Sequence, residues 1–384
     1  MHVAIVSRFA WPSIGGLQTL VSTLAESLLD GATQVRVLAH RIDNDGTDWL
    51  GLTDRAPAFP PQRNSRSGIT TTQLRMSRWQ SDLLRAYSRL RGVDEFERIH
   101  ALVAGRAFAP QLSGATVVHR FGGSRMALPT VRAAHRVDAP AVITPLAHRG
   151  QWDDDEVSAR GYRQADLIVA TTDADADIYL GLGVDPERVR VCPLPTPAPT
   201  GAEARSVRDR ARIEGPLVLF VGVRRGYKGI PELLAAAEIL ARRTPEARVA
   251  IAGPGPRLTD PPANVIDVGE VSDPDRDAWL RAADLVCLPS SQESFGLAVS
   301  EAWSVGAPAV TSDIPVLRER ISRSGGGIAT STAPAPLADA LGTLLNDEPL
   351  RRRMGAAGHD YWRRHESPES VADWHRTAYA GLLR

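Results

Sequence analysis

Four prolines stand at alternate positions, Pro193, Pro195, Pro197 and Pro199, in the run PLPTPAPTG. Proline fixes φ and carries no N–H, so such a run cannot lie inside a helix or a sheet; it stiffens into an extended connector. A chain of 384 residues broken at that point packs as two bodies rather than one. The same pattern occupies both sides of the break. Short apolar runs end in Gly-rich or polar loops, and apolar residues at helical spacing follow. That alternation predicts βα units, parallel sheets and an α/β chain.

In the first half, residues 2–7 read as a strand. A loop with Trp11, Gly15 and Gly16 follows. Leu17, Leu20, Val21, Leu24 and Leu28 then mark a helix face, with Gly31 as its stop. The loop lacks the G-x-G-x-x-G spacing of a dinucleotide site. Residues 41–68 read as a long loop, and strands are expected at 34–39, 115–119, 141–144, 166–171 and 189–191. In the second half they are expected at 217–221, 248–252, 265–268, 285–288 and 308–311. The expected boundaries are 1–197 for an N-terminal α/β domain and 198–365 for a C-terminal one. A terminal helix over 366–384, carrying Val371, Trp374 and Leu382, is expected to pack back on the first domain.

Composition excludes several classes. Lys+Arg and Asp+Glu are equal at 45, so there is no basic surplus for nucleic acid. Cys192 and Cys287 lie far apart in apolar runs, which suits buried thiols and neither a metal site nor a disulfide framework. No apolar run approaches the ~20 residues that span a bilayer, and the N-terminus lacks a basic signal region. A cytoplasmic protein, monomeric or homodimeric and without an integral membrane segment, is expected. Of its basic residues only Lys228 is a lysine.

The chemistry concentrates in PSSQESFGLAVSE, residues 289–301. An apolar strand leads into a polar loop and then a helix start, where unpaired amides and the positive dipole end favour an anion. Glu293 and Glu301 bracket that start. Carboxylates accept hydrogen bonds from hydroxyls, so amides for phosphate beside carboxylates for sugar suggest a nucleotide-sugar site. The loop 222–229 adds Arg224, Arg225, Lys228 and three glycines, and the turn 253–256 leaves room for a flat base.

These segments, FVGVRRGYKG, VAIAGPGP and AADLVCLPSSQESFGLAVSEAWSVGAPAV, with Gly15-Gly16, resemble the retaining glycosyltransferases of family 4, whose fold is GT-B, two Rossmann-like domains facing a central cleft. Glu293 and Glu301 match that family's E-x7-E signature. The resemblance implies transfer of a hexose-type sugar from a nucleotide diphosphate sugar, UDP most commonly, to a hydroxyl of a small-molecule or saccharide acceptor. It implies no metal and no resident cofactor. By the same resemblance Glu293 holds donor-sugar hydroxyls and Glu301 the ribose. The backbone of Phe295, Gly296 and Leu297, with Lys228 and the loop at Gly15 and Gly16, receives the diphosphate. His148 resembles the active-site histidine, with His119 as the competing candidate. Trp11 and Trp152 are acceptor-side candidates, and Trp49 lies in the same surroundings. The family's arginine directly after the loop glycine is Val223 here, so either Arg224 or Arg225 takes over or the diphosphate is held differently. Asp153–Asp155 reads as a solvated loop and Asp173, Asp175 and Asp177 as a helix start, not as metal sites. An epimerase or hydrolase on the same fold, or a non-catalytic nucleotide-sugar binder, are the other readings.

Overall fold

The computed structural model describes residues 1–9, 16–30, 32–41, 61–63, 68–88, 93–200 and 204–384. Trp11, Gly15, Gly31, Trp49 and most of the 41–68 segment lie outside the described residues. The chain forms two units, one of Met1–Pro195 with Val371–Arg384 and the other of Thr196–Ser370. The chain therefore passes between units twice, at 195/196 within the proline run and at 370/371.

Unit 1 contains β1 (His2–Phe9), β2 (Gln34–Arg41), β3 (Gln62–Arg63), β4 (Thr70–Gln73), β5 (Val117–Phe121), β6 (Ala141–Thr144), β7 (Leu167–Ala170) and β8 (Val189–Val191). They form one sheet in the order β3-β4-β2-β1-β5-β6-β7-β8. Its pairings are parallel except for the short β3, which runs antiparallel to β4. β3 falls inside the segment read as loop, because two polar residues carry no strand periodicity. Val3, Ala4, Ile5 and Val6 of β1 are all buried. Helices cover both faces of a parallel sheet, which is why this strand is an apolar run rather than an alternation.

Unit 2 contains β9 (Leu217–Val221), β10 (Arg248–Ala252), β11 (Val265–Gly269), β12 (Leu285–Leu288), β13 (Ala309–Ser312) and β14 (Gly327–Thr330). The order is β11-β10-β9-β12-β13-β14, all parallel. The strand order reverses between β9 and β12. In open parallel sheets ligands bind at such a switch point, outside the carboxyl ends of the strands. In unit 1 the corresponding reversal lies between β1 and β5. Among the described residues no helix is long and apolar enough to cross a membrane.

The last helix, Pro368–Leu382, leaves unit 2 and ends in unit 1. Its buried stripe is Val371, Ala372, His375 and Tyr379, whereas Trp374 and Leu382 stay half-buried. Tyr379 Oη lies 2.6 Å from His119 Nδ1, and Thr144 Oγ1 lies 2.9 Å from His119 Nε2. Burial, with His375 beside it, pushes the His119 pKa well below its usual value. His119 is thus a satisfied core residue and drops out as the active-site histidine. Cys192 and Cys287 are buried free thiols.

Candidate functional site

The two loops that flank the switch point of unit 2 hold each other. Gly229 has φ of 70°, and a Cβ there would stand 2.1 Å from the Pro289 carbonyl oxygen. Only glycine lets the loop after β9 approach the loop after β12 so closely. Ser291 N donates to Tyr227 O at 2.8 Å. Lys228 Nζ donates to Glu293 Oε1 at 2.6 Å, with side-chain exposures of only 16% and 8%. The single lysine and Glu293 are therefore one ion pair, built by two loops that are distant in sequence. A small ammonium on a flexible stem can hold a carboxylate and still turn toward a further anion.

Arg224 is corrected as a phosphate ligand. Its guanidinium donates to Asp267 Oδ1, Ile251 O and Pro256 O, and its side chain is 2% exposed. It fastens β9 to the turn after β10, where a Cβ on Gly253 would meet Gly222 O at 2.0 Å and one on Gly255 would meet Arg224 Cβ at 2.5 Å. The room in that turn, expected for a base, is filled on this side by Arg224 itself. Arg225 and Val223 are exposed. Of the two arginines only Arg225 has a side chain free of the core.

The helix Leu297–Ser304 starts at Gly296, whose φ is 84°. A Cβ on Gly296 would stand 2.8 Å from Leu317 and 3.1 Å from Leu288. The left-handed turn throws the first helix amides forward without a side chain in the way. Glu301 lies one turn in, 3.7 Å from Arg276 Nη1. Burial raises its carboxyl pKa, with Arg276 opposing. Sequence reasoning missed the group behind this helix, Arg320. Its Nη1 donates to Phe295 O and Gly296 O at 2.9 Å each, and its Nη2 to Ser300 Oγ at 2.7 Å and to Glu366 at 2.7 and 2.8 Å. Its only sequence signal was an arginine inside the amphipathic pattern of the helix Pro315–Ser324.

In unit 1 the loops after β5 and β6 meet. His148 and Trp152 pair as a two-residue bridge, their rings tilted by 33° with centroids 4.0 Å apart. Trp152 is 42% exposed. Ser124, Leu146 and Asp153 all carry positive φ, three of six such non-glycine residues among those described. Strain of this kind survives only where surrounding contacts impose it, and it gathers at functional sites. Here Asp153 Oδ2 accepts from Gly123 N at 3.2 Å, while Tyr162 Oη donates to Asp153 O at 2.8 Å. A Cβ on Gly123 would overlap Tyr162 Oη at 1.8 Å. Asp153 is accordingly no solvated loop carboxylate. Gly16, exposed, opens the helix Gly16–Leu28 after β1. Asp175, within the expected helix start, is buried and accepts from Thr171 N at 2.7 Å and Tyr179 Oη at 2.6 Å.

Burial raises the Asp153 pKa from 3.8 to about 6, against the opposing pull of Arg120. The sign follows from linkage. The folded chain holds this proton more tightly, so the contribution is fully present below the unfolded pKa and is lost as pH rises through about 6. Asp153→Asn removes the titration. Its stability relative to wild type should therefore rise by about 1 kcal/mol between pH 5 and pH 8. Urea unfolding of both proteins at the two pH values measures this, and a difference independent of pH would contradict the assignment.

Two α/β units on parallel sheets, the second ordered as a doubly wound sheet with its site at the switch point, define the GT-B class. Residues 206–361 match the family model described as glycosyl transferases group 1, and residues 15–195 match the glycosyl transferase 4-like domain. Each unit thus resembles a glycosyltransferase domain, and the fold is GT-B. Among curated relatives, phosphatidyl-myo-inositol mannosyltransferase of Mycobacterium leprae is 34% identical over 40% of this chain and 43% of its own length. D-inositol 3-phosphate glycosyltransferase of Nocardia farcinica is 36% identical over 36% of this chain and 35% of its own. The chain thus spans less than half the length of these relatives. Among solved structures, Anabaena HepE in complex with UDP superposes with a TM-score of 0.75 at 14% identity, over 100% of both chains. Sucrose-phosphate synthase of Thermosynechococcus elongatus gives 0.72 at 18% identity, over 100% of this chain and 99% of that one.

Proposed function

We propose that the chain is a retaining glycosyltransferase. It moves a hexose-type sugar from a nucleotide diphosphate sugar, most simply a UDP-sugar, to a hydroxyl of a small-molecule or saccharide acceptor. The observation that carries this reading is the Lys228–Glu293 pair at 2.6 Å beside the open start of the helix Leu297–Ser304. One ammonium, a set of forward amides and two carboxylates match the charges of a diphosphate and the hydroxyls of two sugars. The relatives' names, a mannosyltransferase and an inositol phosphate glycosyltransferase, point the same way.

In this reading the bond from the anomeric carbon to the diphosphate breaks, and negative charge gathers on the leaving group. Lys228, Arg225 and the amides of Gly296 and Leu297 stabilise it, so the transfer runs without a metal. The acceptor oxygen bonds to the anomeric carbon on the same face, and its proton passes to the departing phosphate oxygen. Glu293 orients donor-sugar hydroxyls and Glu301 the ribose. On unit 1, Gly15 and Gly16 serve the phosphates, His148 the transferred sugar and Trp152 the acceptor.

A melting-temperature panel of UDP, GDP, ADP and TDP sugars tests the donor. A ligand at a hundredfold its Kd stabilises its site by about 2.7 kcal/mol. One nucleotide class, UDP by this reading, should shift the transition well beyond the others, and turnover should persist in chelator. No shift with any nucleotide sugar would sink the proposal, and strict dependence on Mg²⁺ or Mn²⁺ would overturn its metal-free part.

A further inference from the structure

Arg320 is buried, stacked 3.8 Å from the Phe295 ring centroid and 4.9 Å from that of Trp303, and paired with the equally buried Glu366. Its hydrogen bonds to Phe295 O and Gly296 O have a geometric consequence. A trans peptide points its C=O and N–H to opposite sides. Drawing these two carbonyls back toward Arg320 turns the N–H groups of Gly296 and Leu297 away from it, to the front of the turn. A cation on each carbonyl also polarises the peptide and strengthens those N–H donors.

Glu366 carries the arrangement further. It caps the end of the helix Glu348–His365, and its carbonyl accepts from Thr196 N at 2.9 Å. Trp362 Nε1, four residues earlier, donates to Thr196 O at 2.9 Å. Both the N–H and the C=O of Thr196 are thus held by the end of this helix. Thr196 is the first residue of unit 2, and Glu366 stands four residues before its last, Ser370. Both chain crossovers between units leave unit 2 beside this one ion pair.

We propose that Arg320 is a positioning residue that holds the Phe295-Gly296 turn in its diphosphate-receiving form and, through Glu366, couples that turn to the two interunit crossovers. Arg320 touches no substrate in this scheme; it acts through the turn. The proposal rests on the nucleotide-sugar reading for its ligand, though not for its geometry. Removing one partner of a buried pair strands the other charge, whereas replacing both with apolar groups of similar size is often tolerated. The double variant Arg320→Met, Glu366→Leu is therefore the decisive one, with Glu366→Gln beside it.

The full chain is titrated with UDP, and backbone hydrogen exchange is followed with and without it. The double variant should unfold cooperatively yet bind UDP at least tenfold more weakly. Exchange should accelerate at 295–298 and also at 194–198, and UDP should slow exchange at 194–198 in wild type but not in the variant. A folded variant with wild-type affinity and unchanged exchange in both segments would overturn the proposal. Faster exchange at 295–298 alone would overturn the coupling. If wild type binds no nucleotide, the functional reading fails, and the clamp is judged on exchange in the unliganded chains. Should the double variant not fold, Glu366→Gln is read by the same affinity and exchange criteria.

Discussion

Lys228→Ala should lower turnover with the nucleotide-sugar donor by about 10²–10³-fold, the range for removing one group that stabilises charge developing in a transition state. Two effects add in the same direction. The leaving diphosphate loses its nearest compact cation. Glu293, only 8% exposed, loses its 2.6 Å partner and stands as an unpaired carboxylate beside the same developing charge. Lys228→Arg should recover part of the loss but not all, because a planar fork does not replace an ammonium at the close of the tight Gly226–Lys228 turn. Arg225→Ala should act mainly on donor KM, since that side chain is exposed and its neighbour Arg224 is held in the core. Steady-state kinetics on the three variants measures this. A Lys228→Ala enzyme within threefold of wild type would remove the lysine from the mechanism.

Trp303→Ala should destabilise unit 2 by about 3–5 kcal/mol, the usual cost of deleting a buried aromatic side chain. Trp303 is fully buried on the helix that carries Glu301, and its Nε1 donates to Gly326 O at 2.8 Å. It fits because two glycines lie against it. A Cβ on Gly358 would reach its ring at 2.3 Å and one on Gly326 its Nε1 at 2.5 Å. Truncation opens a cavity, takes one of two donors from the Gly326 carbonyl, which keeps Ala309 N at 3.0 Å, and removes one of the two rings packed against Arg320. Urea unfolding followed by a probe in unit 2 measures it, because a two-unit chain need not unfold in one step. Trp303→Phe should fall between, keeping most of the volume and losing the hydrogen bond. A loss under about 1 kcal/mol for Trp303→Ala would show that this core collapses around the gap.

Much of the site was legible because its parts are local. A strand, a polar loop and a helix start follow one another in 285–304, and periodicity with a glycine before the helix suffices to place them. Five of the six strands of unit 2 were legible as apolar runs, since both sheet faces are covered, whereas β14, the short Gly327–Thr330, was not. Short polar strands such as β3 were not, having no period to show. Arg224 and Arg225 could not be told apart by sequence, because neighbours on an extended loop differ only in which side they face. Asp153 looked like one of three loop acidic residues. Only the approach of Gly123 and Tyr162 from other segments buries it.

The sequence by itself determined the α/β class, the break at the prolines and the kinds of chemical group gathered after β9 and β12, since these depend on residue type and spacing along the chain. The tertiary structure alone decided which charges meet. It paired Lys228 with Glu293, committed Arg224 to Asp267 and His119 to Tyr379, and put Arg320 behind the turn at Phe295. Those choices join residues 25 to 260 positions apart. At such separations a partner is selected by the packing of whole elements and by the cost of burying a charge alone.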